Sequence, residues 1–457
     1  MAWKFWKNLL NTADKISDFD SGSMNEPKFK IVVADFYDNI NSCGAINLAQ
    51  ILNKCEGLEV QSYTENFDHS FLNLESRNIF DLIDMGQSIL KQTKAEVIIW
   101  GYRNKDKIRL NFQSKNQYEN YGNSFVSLMD YFYIPASVLD DSKEQMPSSL
   151  LLLLYGAVVS AINNSGTEKQ IYKKYLLKKI VNKLSQIDSV QTLGIDYMSY
   201  VLNFLGITYL SLAYESSNVE DFKIIKDLFE SALKHCDTIS HNTHVGCIYY
   251  HLGQLYDCAS KNMKKQPSSF FKGAIKNYQT AQKYLSKYTY PYEYGNVCYK
   301  ISDLYQNYWK KTQENQALRD ALFQLREAEK VYTQALFPEF WSKIEGQLGY
   351  LLHNLGYTTK NMEICRLATE AYKNQQKIIT EKKQPKLWAE IQEKIGDLLF
   401  FEGRNENNIE VLQEALSVYH DALYVFENEL ETLRVKQIKF NISRINDLLS
   451  SLQISYD

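Results

Sequence analysis

The sequence predicts a mostly α-helical protein in which a small N-terminal α/β domain is followed by an α-solenoid, a stack of repeated helix pairs. Three observations support this fold class. Turn residues are scarce, with 19 Gly and 7 Pro in 457 residues, while 33 Tyr supply large packing groups. A helical motif recurs at spacings of 47, 49, 47 and 47 residues. The first third instead alternates β-branched runs with helical stripes.

The α/β domain is expected at residues 29–135. Apolar helical stripes lie at Ala45–Cys55 and Ile79–Leu90, between segments with strand character. The predicted strands are Lys30–Phe36, Leu58–Tyr63, Val97–Tyr102 and Ile108–Phe112. The order βαβαββ predicts a small sheet covered by helices.

The remaining boundaries follow from changes of pattern. Residues 1–28 form an N-terminal amphipathic segment and linker, and residues 136–190 form a helical connector with helices from Ser148 to about Ile162 and from Glu168 to Leu184. Repeats follow at 191–425 and a capping helix, Phe426–Leu452, at 426–457. We expect few contacts across residues 135–190, and therefore two separable folding units.

Each repeat contains a first helix with Leu-Gly-x-x-Tyr/Leu and a second with Ala, an aromatic residue or Leu four positions later, and usually Ala at the seventh. We call these helix A and helix B. The small residues of helix A are Gly206, Gly253, Ser302, Gly349 and Gly396. A small residue allows close approach of a neighbouring helix, so each repeat is predicted to be one packed helix pair.

This pattern resembles the tetratricopeptide repeat (TPR). The spacing from Gly to the first Ala, 19 residues in the last three copies, exceeds that of the family, so the extra residues must lengthen either the helices or the loop between them. Pro338-x-x-Trp341 and Pro385-x-x-Trp388 are similar to the extended TPR proteins of alphaproteobacteria, which have a long A–B loop. Pro suits the first helical turn, which needs no N–H donor there. Ala95–Gly101 is similar to a strand of the same family, and a weaker similarity connects this domain to TolB-type N-terminal domains.

The resemblance implies that helix A lines a concave surface and that the protein is a non-enzymatic scaffold or adaptor for a protein or peptide partner. We expect the matching polar side chains to face solvent, where they would bind an extended peptide. The family's Lys/Asn clamp for a C-terminal carboxylate is not reproduced. An ordinary solvated helix face would be equally polar. The candidate residues are Tyr200, Asn203, Cys247, Tyr250, His251, Gln254, Asn296, Tyr299, Lys300, Asp303, Gln306, Asn307, Lys343, Gln347, Tyr350, His353 and Asn354.

Two alternative sites are weaker. A cluster of His and Cys has spacing suited to zinc, but such residues also pack between helices, and we expect no metal. The cluster comprises His235, Cys236, His241, His244, Cys247 and His251. Asp35 and Asp38 follow the first strand, where α/β sheets bind ligands, so the chain is alternatively a regulatory sensor for a small ligand or nucleotide. Catalytic motifs such as GxxxxGK[ST] and HExxH are absent from the sequence, and we expect neither an enzyme nor a cofactor.

The net charge of −3 and pI near 6.2 argue against nucleic-acid binding. Seven cysteines without a CxxC pair suit a reducing compartment, and we expect a cytoplasmic bacterial protein. Trp3 and Trp6 share one face of a short basic segment, which suggests weak contact with the inner face of the membrane. Exposed aromatic residues in a Tyr-rich solenoid also suggest self-association.

Overall fold

A computed structural model describes most of the chain as two compact units, Met1–Thr289 and Tyr290–Asp457. The described residues are 27–36, 44–63, 79–104, 106–115, 126, 129–139, 146–163, 167–185, 197–216, 221–236, 242–262 and 267–454. Trp3, Trp6, Asp38 and His241 lie outside them. The described part is mostly helical and contains a small mixed sheet in the first unit.

Among the described residues, the sheet has five strands in the order β2-β1-β3-β4-β5. Their bounds are Phe29–Ala34 (β1), Leu58–Tyr63 (β2), Val97–Asn104 (β3), Lys107–Ser114 (β4) and Tyr131–Pro135 (β5). Strand β1 runs parallel to β2 and β3, whereas β4 is antiparallel to both β3 and β5. The predicted order βαβαββ is confirmed, and β5 is an additional strand that the sequence did not predict.

Successive side chains of β1 point to opposite faces of the sheet, and each face packs against a different helix. Helices α1 (Gly44–Leu52) and α2 (Ile79–Thr93) connect the parallel strands. Ile31 and Val33 lie in the core that contains α1, whereas Val32 and Ala34 lie in a smaller core with α2. The two crossover helices therefore cover opposite faces of the sheet.

The expected separation at residues 135–190 is wrong. Helices α3 (Ser148–Ala161) and α4 (Thr167–Ser185) share one hydrophobic core with the sheet and with the first repeats. Phe204 of the first repeat packs against Phe112 and Phe132 of the sheet, at ring-centre distances of 5.7 and 5.3 Å. The apolar patterns of the sheet and of the first helix pairs are thus buried against each other, and the compact units divide instead after Thr289.

Within the described residues, five consecutive helix pairs follow, at the predicted positions. The pairs are α5 (Met198–Glu215) with α6 (Phe222–Lys234), α7 (Asn242–Asn262) with α8 (Pro267–Tyr284), α9 (Pro291–Thr312) with α10 (Asn315–Glu329), α11 (Pro338–Thr359) with α12 (Met362–Gln376), and α13 (Pro385–Glu406) with α14 (Ile409–Asn428). The last described helix, α15, spans Thr432–Ile454. The expected start of the capping helix at Phe426 is wrong, because α14 continues to Asn428 and Leu430, a left-handed residue with φ of 57°, lies between it and α15.

The glycine of helix A lies against helix B of the same pair, where it meets an aromatic ring. A Cβ atom added to Gly349 would lie 2.7 Å from the ring of Tyr372, and one added to Gly206 would lie 2.6 Å from that of Phe229. Gly253 and Gly396 meet Tyr278 and Tyr419 in the same way. Because no side chain fits in this space, the Leu-Gly motif sets the distance between the two helices of a pair.

The extra residues of each repeat lengthen the helices, so the expected long A–B loop is wrong. In the last three pairs helix A ends in a turn of two residues whose first residue is left-handed: Gln313, Lys360 or Asn407. Pro291, Pro338 and Pro385 open the A helices, as the sequence predicted. The helices of a pair are antiparallel, since the end of α11 at Gly356 meets the beginning of α12 at Cys365.

Candidate functional site

The predicted helix-A surface is largely buried in the first unit. Its residues there have exposed fractions of 8% or less, against the expectation that they face solvent. These residues are Tyr200, Asn203, Cys247, Tyr250, His251 and Gln254. The physical reason is that β5 and the residues before it lie against α5 and α7, so the faces predicted to line a groove form part of the interior.

Asp130 is the centre of this buried polar contact. Its carboxylate accepts hydrogen bonds from His251 Nε2 at 2.9 Å and from Asn203 Nδ2 at 3.2 Å. Asp130 and His251 are both fully buried. The contact joins the residue preceding β5 to α5 and α7, so it connects the sheet with the first two repeats. Buried charges require such partners, because desolvation without them costs several kcal/mol, of order 3–5 when one partner is removed.

Both ring nitrogens of His251 lie next to side-chain oxygens. Nδ1 is 3.0 Å from Gln254 Oε1, and Nε2 is 2.9 Å from an oxygen of the Asp130 carboxylate. Gln254 Nε2 in turn donates to the Tyr250 hydroxyl at 3.3 Å. The imidazole ring is therefore held from both sides in a buried polar contact.

An aromatic cluster surrounds the contact between Asp130 and His251. The hydroxyls of Tyr131 and Tyr200 are 2.9 Å apart, and the ring of His244 stacks on Tyr200 with ring centres 4.1 Å apart. Burial raises the pKa of Tyr131 to about 12, even though the guanidinium of Arg109 lies 3.8 Å from its ring centre. These side chains are closely packed and leave the hydroxyls neutral at ordinary pH.

The predicted histidine–cysteine cluster does not form one site. His244 Nε2 lies 3.0 Å from Ser199 Oγ, whereas His251 pairs with Asp130 on another part of the interior. Cys247 is buried and Cys236 half-buried. Within the described residues, no group of three His, Cys, Asp or Glu side chains is placed to hold a metal ion.

In the second unit the same repeat positions are half-exposed. On α9, Lys300, Asp303 and Asn307 are all partly accessible, and Asn307 Nδ2 donates to Asp303 Oδ2 at 3.3 Å. Asn296 is likewise half-exposed. Two expectations for α9 need correction. Gln306 is buried, with 7% of its surface exposed. Tyr299 is not a free surface ring, because it packs on Phe340 with ring centres 5.1 Å apart.

On α11 the corresponding residues form a continuous row. Lys343 is exposed, and Gln347, Tyr350 and Asn354 are half-exposed. Asn354 Nδ2 donates to the backbone oxygen of Tyr350 at 2.7 Å. The ammonium group of Lys310, at the end of α9, lies 5.6 Å from the Tyr350 ring centre. A basic group and an aromatic ring thus meet at the boundary between two repeats.

Burial displaces the pKa values of an imidazole and a carboxyl group on α11, those of His353 and Glu345. Burial lowers the pKa of His353 to about 4, and the nearby Lys394 adds to the effect, so this half-buried ring is neutral at pH 7. Burial also raises the pKa of Glu345 to about 7, and the nearby Glu329 contributes. Glu345 was not predicted as a special residue. It accepts a hydrogen bond from Asn374 Nδ2 at 3.1 Å and has 1% of its surface exposed.

The alternative ligand site at the end of β1 is partly filled by the protein itself. Asp35 is half-buried there, and its backbone N–H donates to the Tyr63 carbonyl. The next residue, Phe36, is buried between Gly44 and Gly101. A Cβ on either glycine would lie 2.8 Å from the Phe36 ring. The glycines therefore make room for an aromatic side chain at this edge of the sheet.

Asp130 could not be identified as functional from a motif. The available signal was its position, an acid directly before the aromatic run Tyr131-Phe132-Tyr133.

None of the described helices is sufficiently long and apolar to cross a bilayer. No family model matches the sequence, and no curated protein matches it with significance.

Proposed function

We propose that this chain is a non-enzymatic scaffold or adaptor that binds a protein or an extended peptide on the helix-A faces of α9 and α11, in the manner of a TPR-like solenoid. One observation carries the proposal. Asp303 and Tyr350 occupy equivalent repeat positions, as do Asn307 and Asn354, and all four are half-exposed. A regularly spaced row of this kind suits a ligand with a regular backbone.

The chemistry of the row favours a peptide over a small ion or nucleic acid. Asp303 and Asn307 present an acceptor and a donor together, and Asn354 adds an amide. Tyr350 supplies a ring on which an apolar side chain can pack. The chain is slightly acidic overall, so it has no general attraction for phosphate backbones. The half-buried state of these side chains reduces the conformational entropy lost on binding.

A second part of the proposal is cellular location. Seven cysteines without a CxxC pair suit the reducing cytoplasm of a bacterium, where an adaptor would meet its partners. The fold class also favours the binding role, because stacked helix pairs supply an extended surface from many modest contacts. TPR membership itself remains part of this proposal.

The test uses the full-length protein and a random-peptide phage library. Selected peptides should bind wild type, and the Tyr350→Ala/Asn354→Ala double variant should bind them about tenfold to a hundredfold more weakly by calorimetry, because an aromatic anchor and an amide are lost together. Circular dichroism establishes that the variant is folded. Equal affinities of wild type and variant would show that the row is not the binding surface.

A matched control removes the same residue types elsewhere. Tyr424 is 65% exposed on α14, and Asn405 on α13 donates to the backbone four residues earlier, as Asn354 does. The Tyr424→Ala/Asn405→Ala variant should bind the selected peptides with wild-type affinity. If the control variant also loses affinity for the selected peptides, the effect of the first variant is not specific to the row on α11.

The sensor hypothesis is a second candidate, supported by the topology of the sheet. Strands β1 and β3 are adjacent and parallel, and their crossover helices lie on opposite faces. In α/β sheets of this topology, ligands bind at the carboxyl ends of such strands, where Asp35 follows β1. A panel of nucleotides should then raise the melting temperature of wild type but not of Asp35→Ala. No shift with any nucleotide would remove this candidate.

A further inference from the structure

A groove on the helix-B side of the second unit combines an apolar floor with a basic rim. Its volume is about 460 Å³, and Phe323, Leu352 and Leu367 contribute apolar surface to it. Phe323 and Leu367 are 65% and 42% exposed, which is unusual for large apolar side chains. The rim carries Arg319, Arg326 and Lys330, whose spacing along α10 places them on the same side of the helix as Phe323.

The rim has one cation available for an incoming acid. Arg326 pairs with Glu329 at 2.8 Å, and Lys330 pairs with Glu327. Arg319 makes no ion pair with any residue that the structure describes, and it is exposed. An occupant that brings a carboxylate next to apolar side chains would therefore complement both the charge and the floor of the groove.

The same chain carries a segment with this chemistry. The segment that we call the acidic turn consists of Glu429, Leu430 and Glu431, which connect α14 to α15, and the first two residues of α15, Thr432 and Leu433. Leu430 and Leu433 are 82% and 81% exposed, more than any other leucine that the structure describes. Glu431 pairs with Lys386, whereas Glu429 makes no ion pair within the described residues.

Leu430 is in a conformation that does not favour leucine. Its φ is 57°, in the left-handed region, where Gly or Asn is the ordinary choice at a helix end. The other described non-glycine residues with positive φ are all polar: Lys94, Gln313, Lys360 and Asn407. Leucine here combines unfavourable backbone geometry with a side chain that buries almost nothing in this chain. A partner that covers the side chain would account for its presence.

We propose that the acidic turn of one copy docks in the basic-rimmed groove of a second copy. Leu430 and Leu433 would cover Phe323 and Leu367, and Glu429 would meet Arg319. The two surfaces differ, so the contact is heterologous, and in a pair of copies one keeps a free groove and the other a free turn. Such contacts produce rings or open chains of copies. The proposal concerns the helix-B side and is independent of the peptide site on α9 and α11.

The contact is small, so association should be weak and concentration-dependent. A single turn in a groove buries less than the roughly 1,000 Å² of a stable interface. Sedimentation velocity of the full-length protein across a wide concentration range should show species larger than a monomer that dissociate on dilution. Association should be weaker at high salt, because the ion pair between Glu429 and Arg319 lies at an exposed contact.

Charge reversal gives the decisive test. Arg319→Glu places an acid opposite Glu429, and Glu429→Arg places a base opposite Arg319, so each variant alone should associate about tenfold or more weakly than wild type. Mixing the two variants should restore association, because each groove then finds a turn of opposite charge. Restoration by mixing is not expected if the substitutions merely disturb folding.

Two further variants test the apolar part. Leu430→Asn removes the exposed side chain while keeping a residue that accepts positive φ, so it should fold and fail to associate. Tyr288→Ser is the control, since Tyr288 is 86% exposed and lies outside both the groove and the turn; it should associate normally. The proposal is wrong if wild type remains monomeric at the highest concentration, if Leu430→Asn associates like wild type, or if mixing the charge variants restores nothing.

Discussion

The helix pairs of the first unit and those of the second carry the same repeat motif but present different surfaces. His251 and Lys300 both lie two residues before the small residue of helix A. His251 is fully buried in a hydrogen-bonded contact with Asp130, whereas Lys300 is half-exposed. The motif therefore determines the contact within a helix pair, and the structure beside the pair determines whether its outer face is a surface or part of a core.

The largest expected effect tests this difference directly. Asp130→Ala should lower the free energy of unfolding of the first unit by about 3–5 kcal/mol, because it leaves the buried side chains of His251 and Asn203 without their shared hydrogen-bond partner. Lys300→Ala, at the repeat position equivalent to His251, should change stability by about 0.5 kcal/mol or less. Urea unfolding followed by circular dichroism measures both. Comparable losses in the two variants would mean that the two outer faces do not differ in this way.

A double variant separates the contact between Asp130 and His251 from simple packing. Asp130→Ala/His251→Leu removes both partners, so its loss of stability should be smaller than the sum of the losses of the two single variants. Strict additivity would indicate that Asp130 and His251 contribute independently.

Replacing the glycine of helix A should instead destabilise a helix pair by a similar amount in both units. Gly206→Leu and Gly349→Leu each force a side chain into the space next to Phe229 or Tyr372, and each should cost about 3 kcal/mol or more. Limited proteolysis can show which unit opens first in each variant. We expect the first unit to open in Gly206→Leu and the second in Gly349→Leu. Wild-type melting of either variant would contradict the contact between glycine and ring.

A smaller effect, dependent on pH, should be confined to the second unit. The pKa of Glu345 is about 7 in the fold because of burial, with Glu329 adding to the rise and Asn374 and Arg326 opposing it. Because the pKa is raised in the fold, the contribution of protonated Glu345 to the free energy of unfolding is fully present below about pH 4.5. This contribution is lost as the pH rises through 7. Glu345→Gln should therefore be more stable than wild type by about 1–3 kcal/mol at pH 8, with little difference at pH 4.5.

Melting temperatures of wild type and Glu345→Gln measured from pH 4.5 to pH 8 provide the check. The first unit supplies the comparison, because its buried acid, Asp130, contacts His251 and accepts a hydrogen bond from Asn203. If the difference between wild type and Glu345→Gln does not grow with pH, the carboxyl of Glu345 is not protonated in the fold.

The smallest predicted effect compares one left-handed lysine in each unit. Lys94 and Lys360 have φ of 57° and 52°, and both are exposed. Lys94→Gly and Lys360→Gly should each stabilise the unit that carries it by about 0.5–1 kcal/mol, since glycine adopts this conformation without strain. The shift in unfolding midpoint should appear in one unit only for each variant. If both variants are less stable than wild type, the contacts of the lysine side chains stabilise the fold by more than the backbone strain destabilises it.

Much of the fold could be predicted because it depends on local patterns. The 47-residue spacing, the prolines that open helix A and the Gly-to-ring contact at Gly349 follow from helix periodicity and side-chain size. The strand Leu58–Tyr63 was predicted to the residue. The two-residue turns could not be predicted, because Lys360 and Gln313 are not the residues expected at left-handed helix ends.

The candidate site could be predicted only in part, because exposure is a property of what packs outside the motif. The polar rows of α9 and α11 were identified from helix register, and Asn307 and Tyr350 are indeed half-exposed. His251 and Gln254 lay on the same register and are buried. Their burial depends on Asp130, which is 121 residues from His251 in the chain and belongs to no repeat.

That long separation has a consequence for synthesis on the ribosome. The chain emerges from its N-terminus, so Asp130 and β5 leave the exit tunnel well before α7 brings His251 to them. Until then the sheet holds a carboxylate whose histidine partner has not been made, and the apolar surface that α7 will cover is open. A nascent chain that stalls before residue 251 should thus be a chaperone substrate. Each later helix pair closes through a two-residue turn and can fold as soon as its second helix emerges.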